Sequence, residues 1–281
     1  GETEEELQRT ERVWQLLSPW IRPGQGRLIR HTVYRFRSLV ANRWQHGRVF
    51  LVGDAAHLMP PFLGQGMCSG IRDAWNLAWK LSAVLRGIAP EGLLASYEQE
   101  RRSQVTTLIH MVIEGGRALC LTDPAAARIR DEALLAGAVP PPPEVPGLTN
   151  GIGLSQPPAG QLSPHDMVKR PDGSLVRLDA IAGNGFRLIG PGSEQHLPWR
   201  SAAAQSVADR LDVRWMPLGT PSGSTPSRLM DFLVHHGWTH MLVRPDYYIF
   251  GGTASGADVD GLLLALGDQV PMAADNRHEV E

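Results

Sequence analysis

The chain has 281 residues, 42% of them hydrophobic and 20% charged, with a formal net charge of −2. That composition pays for a packed core and excludes global disorder, and at about 150 residues per domain it suggests two domains. A near-neutral chain gives no electrostatic reason to expect nucleic acid or an anionic membrane as partner. No stretch reaches the roughly 18 uninterrupted apolar residues of a spanning helix. The two cysteines, Cys68 and Cys120, form neither a CxxC pair nor a disulfide framework. A reduced, soluble, cytoplasmic protein is expected.

Residues 3 to 19 read as a helix, with acidic residues in the first turn and Leu7, Val13, Leu16 and Leu17 as apolar positions. From Leu28 to Trp44 the pattern is extended, and Val33, Tyr34 and Phe36 favour a strand. That strand either lines a pocket or is ordinarily half exposed. Arg48 to Val52 is a short apolar run, consistent with a buried parallel strand. It stops at Gly53-Asp54-Ala55-Ala56-His57, and after Pro60-Pro61-Phe62-Leu63 the chain reaches Gly64-Gln65-Gly66 and enters a long helix. Met67, Ile71, Ala74, Ala78, Leu81 and Leu85 recur at helical spacing and predict a continuous buried stripe. A second helix is expected from about Glu91 to Arg117, carried by Leu94, Tyr97, Val105, Leu108 and Val112.

A carboxylate at a strand's end, a glycine-rich turn and a helix start together mark where ligands of open α/β sheets bind. Asp54 suits a ribose or ribityl hydroxyl, and Gly64 and Gly66 allow close backbone approach to a flat ligand. The amides of a helix start favour negative charge. The residues alone leave a nucleotide-like ligand and a purely structural turn both open.

These residues carry a resemblance. Gly53 to His57, Pro60-Pro61, Gly64-Gln65-Gly66-Met67 and Gly70 to Leu81 (GIRDAWNLAWKL) resemble the second FAD-binding motif of the single-component flavoprotein aromatic hydroxylases. Val33 to Leu39 and Leu58 to Gly70 resemble the 3-(3-hydroxyphenyl)propionate hydroxylase branch, the likeness spanning roughly residues 10 to 120. The resemblance implies an α/β fold: the C-terminal part of an FAD-binding domain of the para-hydroxybenzoate hydroxylase kind, joined to a thioredoxin-like α/β domain. It implies FAD, NADH or NADPH as electron donor, and insertion of one oxygen atom from O2 into a phenolic ring. Asp54 would then bind the FAD ribose, and Gly53, Pro60, Pro61, Gly64, Gln65, Gly66 and Met67 would line the flavin. Cys68 stands where many relatives carry Asn. No residue is assigned acid–base catalysis, because the flavin carries the chemistry.

The family's initial βαβ unit with GxGxxG, and its later Asp-Gly motif, do not occur in this sequence. Gly151-Ile152-Gly153 lacks the βαβ context and is no substitute. The expectation is a C-terminal portion that needs its missing N-terminal half, whether as truncated product, split subunit or fragment. A non-catalytic remnant serving as an interaction or dimerisation module is the alternative, and a homodimer is compatible with either.

The run from Val139 to Gly147 is proline-rich, and Gln156-Pro157-Pro158 follows. Residues 1–140 are therefore expected to form the flavin and substrate part, 141–160 a linker, and 161–281 the thioredoxin-like domain without CxxC. In that domain the pattern predicts strands at Phe186–Gly190 and Val213–Met216 and a helix from Trp199 to Leu211. A hairpin turning at Pro245-Asp246 and a last helix from Ala257 to Leu266 complete it.

Tyr34, Arg37 and His31 are candidate substrate residues, with Arg37 available to a carboxylate. His57 follows Asp54 by three residues, but no third ligand has metal-site spacing, so it is expected to orient the turn by hydrogen bonding. Trp75 and Trp79 share a helix face suited to packing.

Overall fold

The computed structural model describes residues 2–138, 141, 144–169, 174–218 and 227–273. Val139, Pro140, Pro142 and Pro143 of the proline run lie outside the described residues. The described chain divides into two compact units, residues 1–37 and 38–281.

In the first unit, Thr3 opens α1 (Glu4–Leu7) with a reciprocal cap: its hydroxyl accepts from Glu6 N, and Glu6 accepts from Thr3 N. α2 (Thr10–Leu17) follows, so the single expected helix is broken at Gln8-Arg9. Of the strand expected over residues 28–44, only Leu39–Val40 forms. Residues 28–37 pair with no strand among the described residues, and a lone extended segment leaves its ladder hydrogen bonds unmade. His31 Nε2 instead reaches Gln8 O at 2.8 Å, and Arg35 pairs with Glu4 at 2.9 Å.

The second unit opens with short strands. β1 (Leu39–Val40) is followed by β2 (Gln45–His46) and β3 (Val49–Phe50), which pair antiparallel through a two-residue turn at Gly47-Arg48. The buried parallel strand expected at 48–52 is therefore a hairpin arm, because that turn folds the chain straight back, and Val49 is 66% exposed. β4 (His57–Leu58) pairs antiparallel with β1.

Two long helices, α3 (Gln65–Leu85) and α4 (Ala95–Leu119), come next, followed by α5 (Pro124–Leu135). α4 buries Tyr97, Val105, Leu108 and Val112 as its periodicity predicts. α3 does not follow its periodicity. Apart from Leu81, which packs against the core, the apolar stripe expected to be buried faces outward, with Met67 at 76%, Ile71 at 52% and Leu85 at 83% exposure. Its buried face instead carries Ser69, Asp73, Asn76, Leu77 and Lys80. The reason is electrostatic. Asp73, Asn76 and Lys80 meet Glu100 and Arg101 of α4 in a hydrogen-bonded seam, and apolar periodicity cannot register such a face.

After α5 come the hairpin β5 (Met167–Lys169) and β6 (Leu175–Arg177), then α6 (Leu178–Ala182), β7 (Arg187–Pro191), α7 (Ala202–Arg210) and β8 (Arg214–Leu218). α8 (Arg228–His235), β9 (His240–Val243), β10 (Ile249–Thr253) and α9 (Val259–Gln269) finish the unit. The sheet order is β10-β9-β7-β8, with β7 and β8 parallel and the other pairs antiparallel. This is the β-α-β-α-β-β-α arrangement that the thioredoxin-like expectation implies. Strand alternation builds both of its faces. Leu188, Leu242 and Phe250 pack with α7 and α9, whereas Ile189, Met241, Val243 and Ile249 pack with α6 and α8. The same first core takes in Ala89 and Leu93 from the α3–α4 connection.

Candidate functional site

The turn that carries Asp54 is held by one buried carboxylate. Asp73 Oδ2 accepts from Gly53 N at 3.1 Å and from His57 Nε2 at 2.7 Å, while Oδ1 accepts from Arg101 Nε at 2.8 Å. Asp73, His57 and Arg101 are all but fully buried. Arg101 Nη1 continues to the Tyr248 hydroxyl at 3.1 Å, and that hydroxyl donates to Gln104 Oε1 at 3.0 Å. His57 thus does orient the turn, through Asp73, a residue expected from the sequence to pair locally or contact neighbouring loops and to have no catalytic role. Its signal was available: a carboxylate on the helix immediately behind a glycine-rich turn.

Gly53 and Gly70 meet backbone to backbone, where a Cβ at residue 70 would stand 3.3 Å from Gly53 Cα. Asp54 follows in a 3-10 turn, Gly53–Ala55, with its side chain exposed and no hydrogen bond among the described residues. Pro60 is buried and Pro61 opens the turn Pro61–Leu63. Gly64 then takes the left-handed conformation, φ 62° and ψ 23°, which glycine adopts without strain. Its N–H closes on Pro61 O at 2.9 Å, and the amides that follow open α3 without intrahelical acceptors. Gln65 Oε1 accepts from Arg72 Nη1 at 3.2 Å, Gly66 lies beside Met59, and Met67 is largely exposed. The eight candidate cofactor residues therefore all fall on one unit, along two consecutive turns. The candidate substrate residues His31, Tyr34 and Arg37 lie on the other unit, all exposed.

A second buried cluster was not legible from the sequence. Glu100 accepts five bonds, from Ile152 N, Asn76 Nδ2, Lys80 Nζ and both terminal nitrogens of Arg244, at 2.7–2.8 Å. Asp246 accepts from Arg244 Nε and Nη2, Asn76 Nδ2 and Trp79 Nε1. Trp75 donates to Pro245 O at 3.0 Å, so both tryptophans pack onto the β9–β10 turn. Burial alone would raise the Glu100 carboxyl, but Arg244 and Lys80 outweigh it and bring it down to about 2. Lys80 goes the other way: burial lowers it to about 8 despite Glu100.

The Lys80 shift has a measurable consequence. Between about pH 8 and 10.5 the unfolded chain binds the Lys80 proton that the folded chain has released. Stability therefore rises with pH across that window. Urea denaturation between pH 7.5 and 10.5 should show this rise in the wild type, and Lys80→Met should flatten it.

The chain is similar to known proteins in sequence and in structure. Residues 2–112 match the FAD binding domain family, and residues 160–269 match the HcaD C-terminal domain family. The crystal structure of aklavinone-11 hydroxylase with FAD and aklavinone superposes with a TM-score of 0.67 at 25% identity, covering 96% of this chain and 52% of that one. RebC-10x with bound 7-carboxy-K252c gives a TM-score of 0.64 at 26% identity, covering 90% and 51%. The chain is thus related over nearly its whole length to FAD-dependent aromatic hydroxylases. Within them its relatives lie in the branch anticipated above. The probable NADH-specific resorcinol 4-hydroxylase of Rhodococcus jostii is 33% identical over 93% of this chain and 50% of its own length. The 3-(3-hydroxy-phenyl)propionate/3-hydroxycinnamic acid hydroxylase of Klebsiella pneumoniae is 32% identical over 100% of this chain and 56% of its own. The chain thus spans about half the length of these relatives. No helix among the described residues is long and apolar enough to cross a membrane.

Proposed function

We propose that this chain binds FAD through Asp54, Gly53, Pro60, Pro61, Gly64, Gln65, Gly66 and Met67. Joined to a polypeptide bearing the GxGxxG unit, it would hydroxylate a phenolic acid of the 3-(3-hydroxyphenyl)propionate kind with NADH or NADPH and O2. The observation that carries this reading is the paired turn: an exposed carboxylate without a partner among the described residues, beside a helix start whose amides are open. The residues present fit the group. Asp54 offers acceptors for the ribose hydroxyls, and the close backbone contact at Gly53 and Gly70 leaves that turn without bulky side chains. The first amides of α3 suit the pyrimidine edge of a flavin, which is negative when reduced, and hold that charge without a titrating group.

FAD, when bound, supplies hydride acceptance and oxygen activation. The chain's own part is to fix the ring between the Pro60–Met67 turn and the remainder of the enzyme, and to keep water from it. Arg37 would pair with a substrate carboxylate, with Tyr34 and His31 beside it. The family matches at 2–112 and 160–269 support a division into residues 1–140, a linker at 141–160 and residues 161–281. A split subunit or a homodimer would complete the site.

The test combines the chain with a polypeptide spanning the first half of the Rhodococcus relative and supplies FAD, NADH and O2. Hydroxylated product from 3-(3-hydroxyphenyl)propionate or resorcinol is expected, falling on Asp54→Ala. NADH consumption that yields only peroxide in every combination contradicts the reading.

A further inference from the structure

Tyr248 stands immediately before β10 and is 1% exposed. Its backbone is held by the β9–β10 hairpin: its carbonyl accepts from Arg244 N at 2.8 Å, and the next amide, Ile249 N, donates to Gln161 O at 2.8 Å. The hydroxyl at the far end of the ring is therefore placed by the C-terminal sheet. The direction of its proton is set from α4. Gln104 Nε2 donates to Pro146 O, which leaves Oε1 facing Tyr248, and the hydroxyl donates to that oxygen at 3.0 Å. Its lone pairs are left for Arg101, whose Nη1 donates to it at 3.1 Å.

Arg101 carries the constraint onward. A guanidinium is a rigid planar fork, so holding one arm orients the others. Nε donates to Asp73 Oδ1 at 2.8 Å and Nη2 to Ser69 O at 3.4 Å. Asp73 Oδ2 in turn accepts from Gly53 N at 3.1 Å and His57 Nε2 at 2.7 Å. Three consecutive hydrogen bonds thus run from the hairpin to the Gly53 amide. Tyr248, Arg101 and Asp73 are each at most 1% exposed. A bond lost at that depth leaves a buried donor unmet, and the group that carries it moves to find another acceptor. Asp73 already supplies the countercharge of Arg101. What the Tyr248 hydroxyl adds is orientation.

We propose that Tyr248 is a positioning residue for the turn that carries Asp54: its hydroxyl fixes the plane of Arg101 and, through Asp73, the Gly53 amide and the His57 ring. The C-terminal sheet contributes none of the candidate flavin residues, yet through this hydroxyl it sets the first of their two turns. The effect on Gly53 belongs to the chain alone, whereas its consequence for FAD rests on the reading of that turn as a flavin site.

The test compares Tyr248→Phe, which removes the hydroxyl and keeps the ring, with Leu263→Ala, which loosens the core beneath the same sheet without touching the run. Both are made in the full chain and followed by NMR well below the unfolding transition. In Tyr248→Phe, amide exchange at Gly53 should quicken by about tenfold while amides of α9 stay within about twofold. The His57 Nε2 proton, bonded to the same Asp73 oxygen, should shift as well. Leu263→Ala should lower the urea midpoint and leave the Gly53 and His57 signals as in the wild type. FAD affinity should fall by about threefold to tenfold in Tyr248→Phe and by less than about twofold in Leu263→Ala. Unchanged exchange at Gly53 in Tyr248→Phe overturns the proposal. An equal rise in Leu263→Ala does so too, since it would make the effect one of stability alone. Faster exchange with undiminished FAD affinity would confine Tyr248 to the fold and overturns its role toward the flavin. Faster exchange in a chain whose wild type binds no FAD supports the run from Tyr248 to the turn and contradicts the flavin reading instead.

Discussion

Glu100→Gln should lower the free energy of unfolding by about 3–5 kcal/mol, the range for breaking a buried ion pair from one side. Glu100 is fully buried and its two oxygens gather five donors, from α3, the segment at Ile152 and Arg244. The amide keeps the shape but loses the charge, and its NH2 opposes donors already pointing at that position. Lys80 then has no carboxylate partner, and Arg244 keeps only Asp246. Urea denaturation should show a lower midpoint with an unchanged slope, which marks a change in stability rather than in the surface exposed. The pH dependence adds a sign. The folded carboxyl is held at about 2, below its ordinary value of 4.5. Its contribution is therefore complete above about pH 4.5 and lost as pH falls from there toward 2. The variant should lose that acid-limb dependence along with its stability.

Asp73→Asn should destabilise by a similar amount, about 3–5 kcal/mol, because Arg101 is left buried without a countercharge. It should also act on the flavin turn. Gly53 N–H and His57 Nε2–H converge on the same Asp73 oxygen, and an amide NH2 placed there opposes both. A rotated amide keeps that oxygen only by turning its NH2 onto Arg101. Losing the bond that fixes Gly53 should weaken FAD by roughly tenfold, or about 1.4 kcal/mol. A stability loss with unchanged FAD affinity would assign Asp73 to the fold alone. Measuring FAD affinity well below the melting transition keeps the two effects apart.

Much of the fold is legible in the sequence where apolar period and burial coincide. The alternation in β7, β9 and β10 divides their side chains between two cores, and the period of α4 marks its buried face. Reading fails where buried residues are charged. In α3 the 67-71-74-78-85 positions lie on the outward face and only Leu81 of that spacing packs inward, since the buried face is held by Asp73, Asn76 and Lys80. Those residues read as solvated until their partners Glu100, Arg101 and Arg244 come close, the last from a position more than a hundred residues away. The extended stretch at 28–37 fails for another reason: β propensity describes a residue's fit to a sheet but does not supply a neighbouring strand. The candidate flavin turns were legible because glycine, proline and a terminal carboxylate carry their conformational and chemical demands locally. The Asp73 support behind them, and the Tyr248 hydroxyl that continues it through Arg101, depend on tertiary placement.

The most direct measurement is an FAD titration of the purified chain, read by the visible flavin spectrum and tryptophan fluorescence, beside Asp54→Ala. Saturable binding that weakens by about tenfold or more in the variant is the result predicted here. Binding of equal strength in both, or none at saturating FAD, would contradict the assignment of the Asp54 turn as a flavin site in this chain.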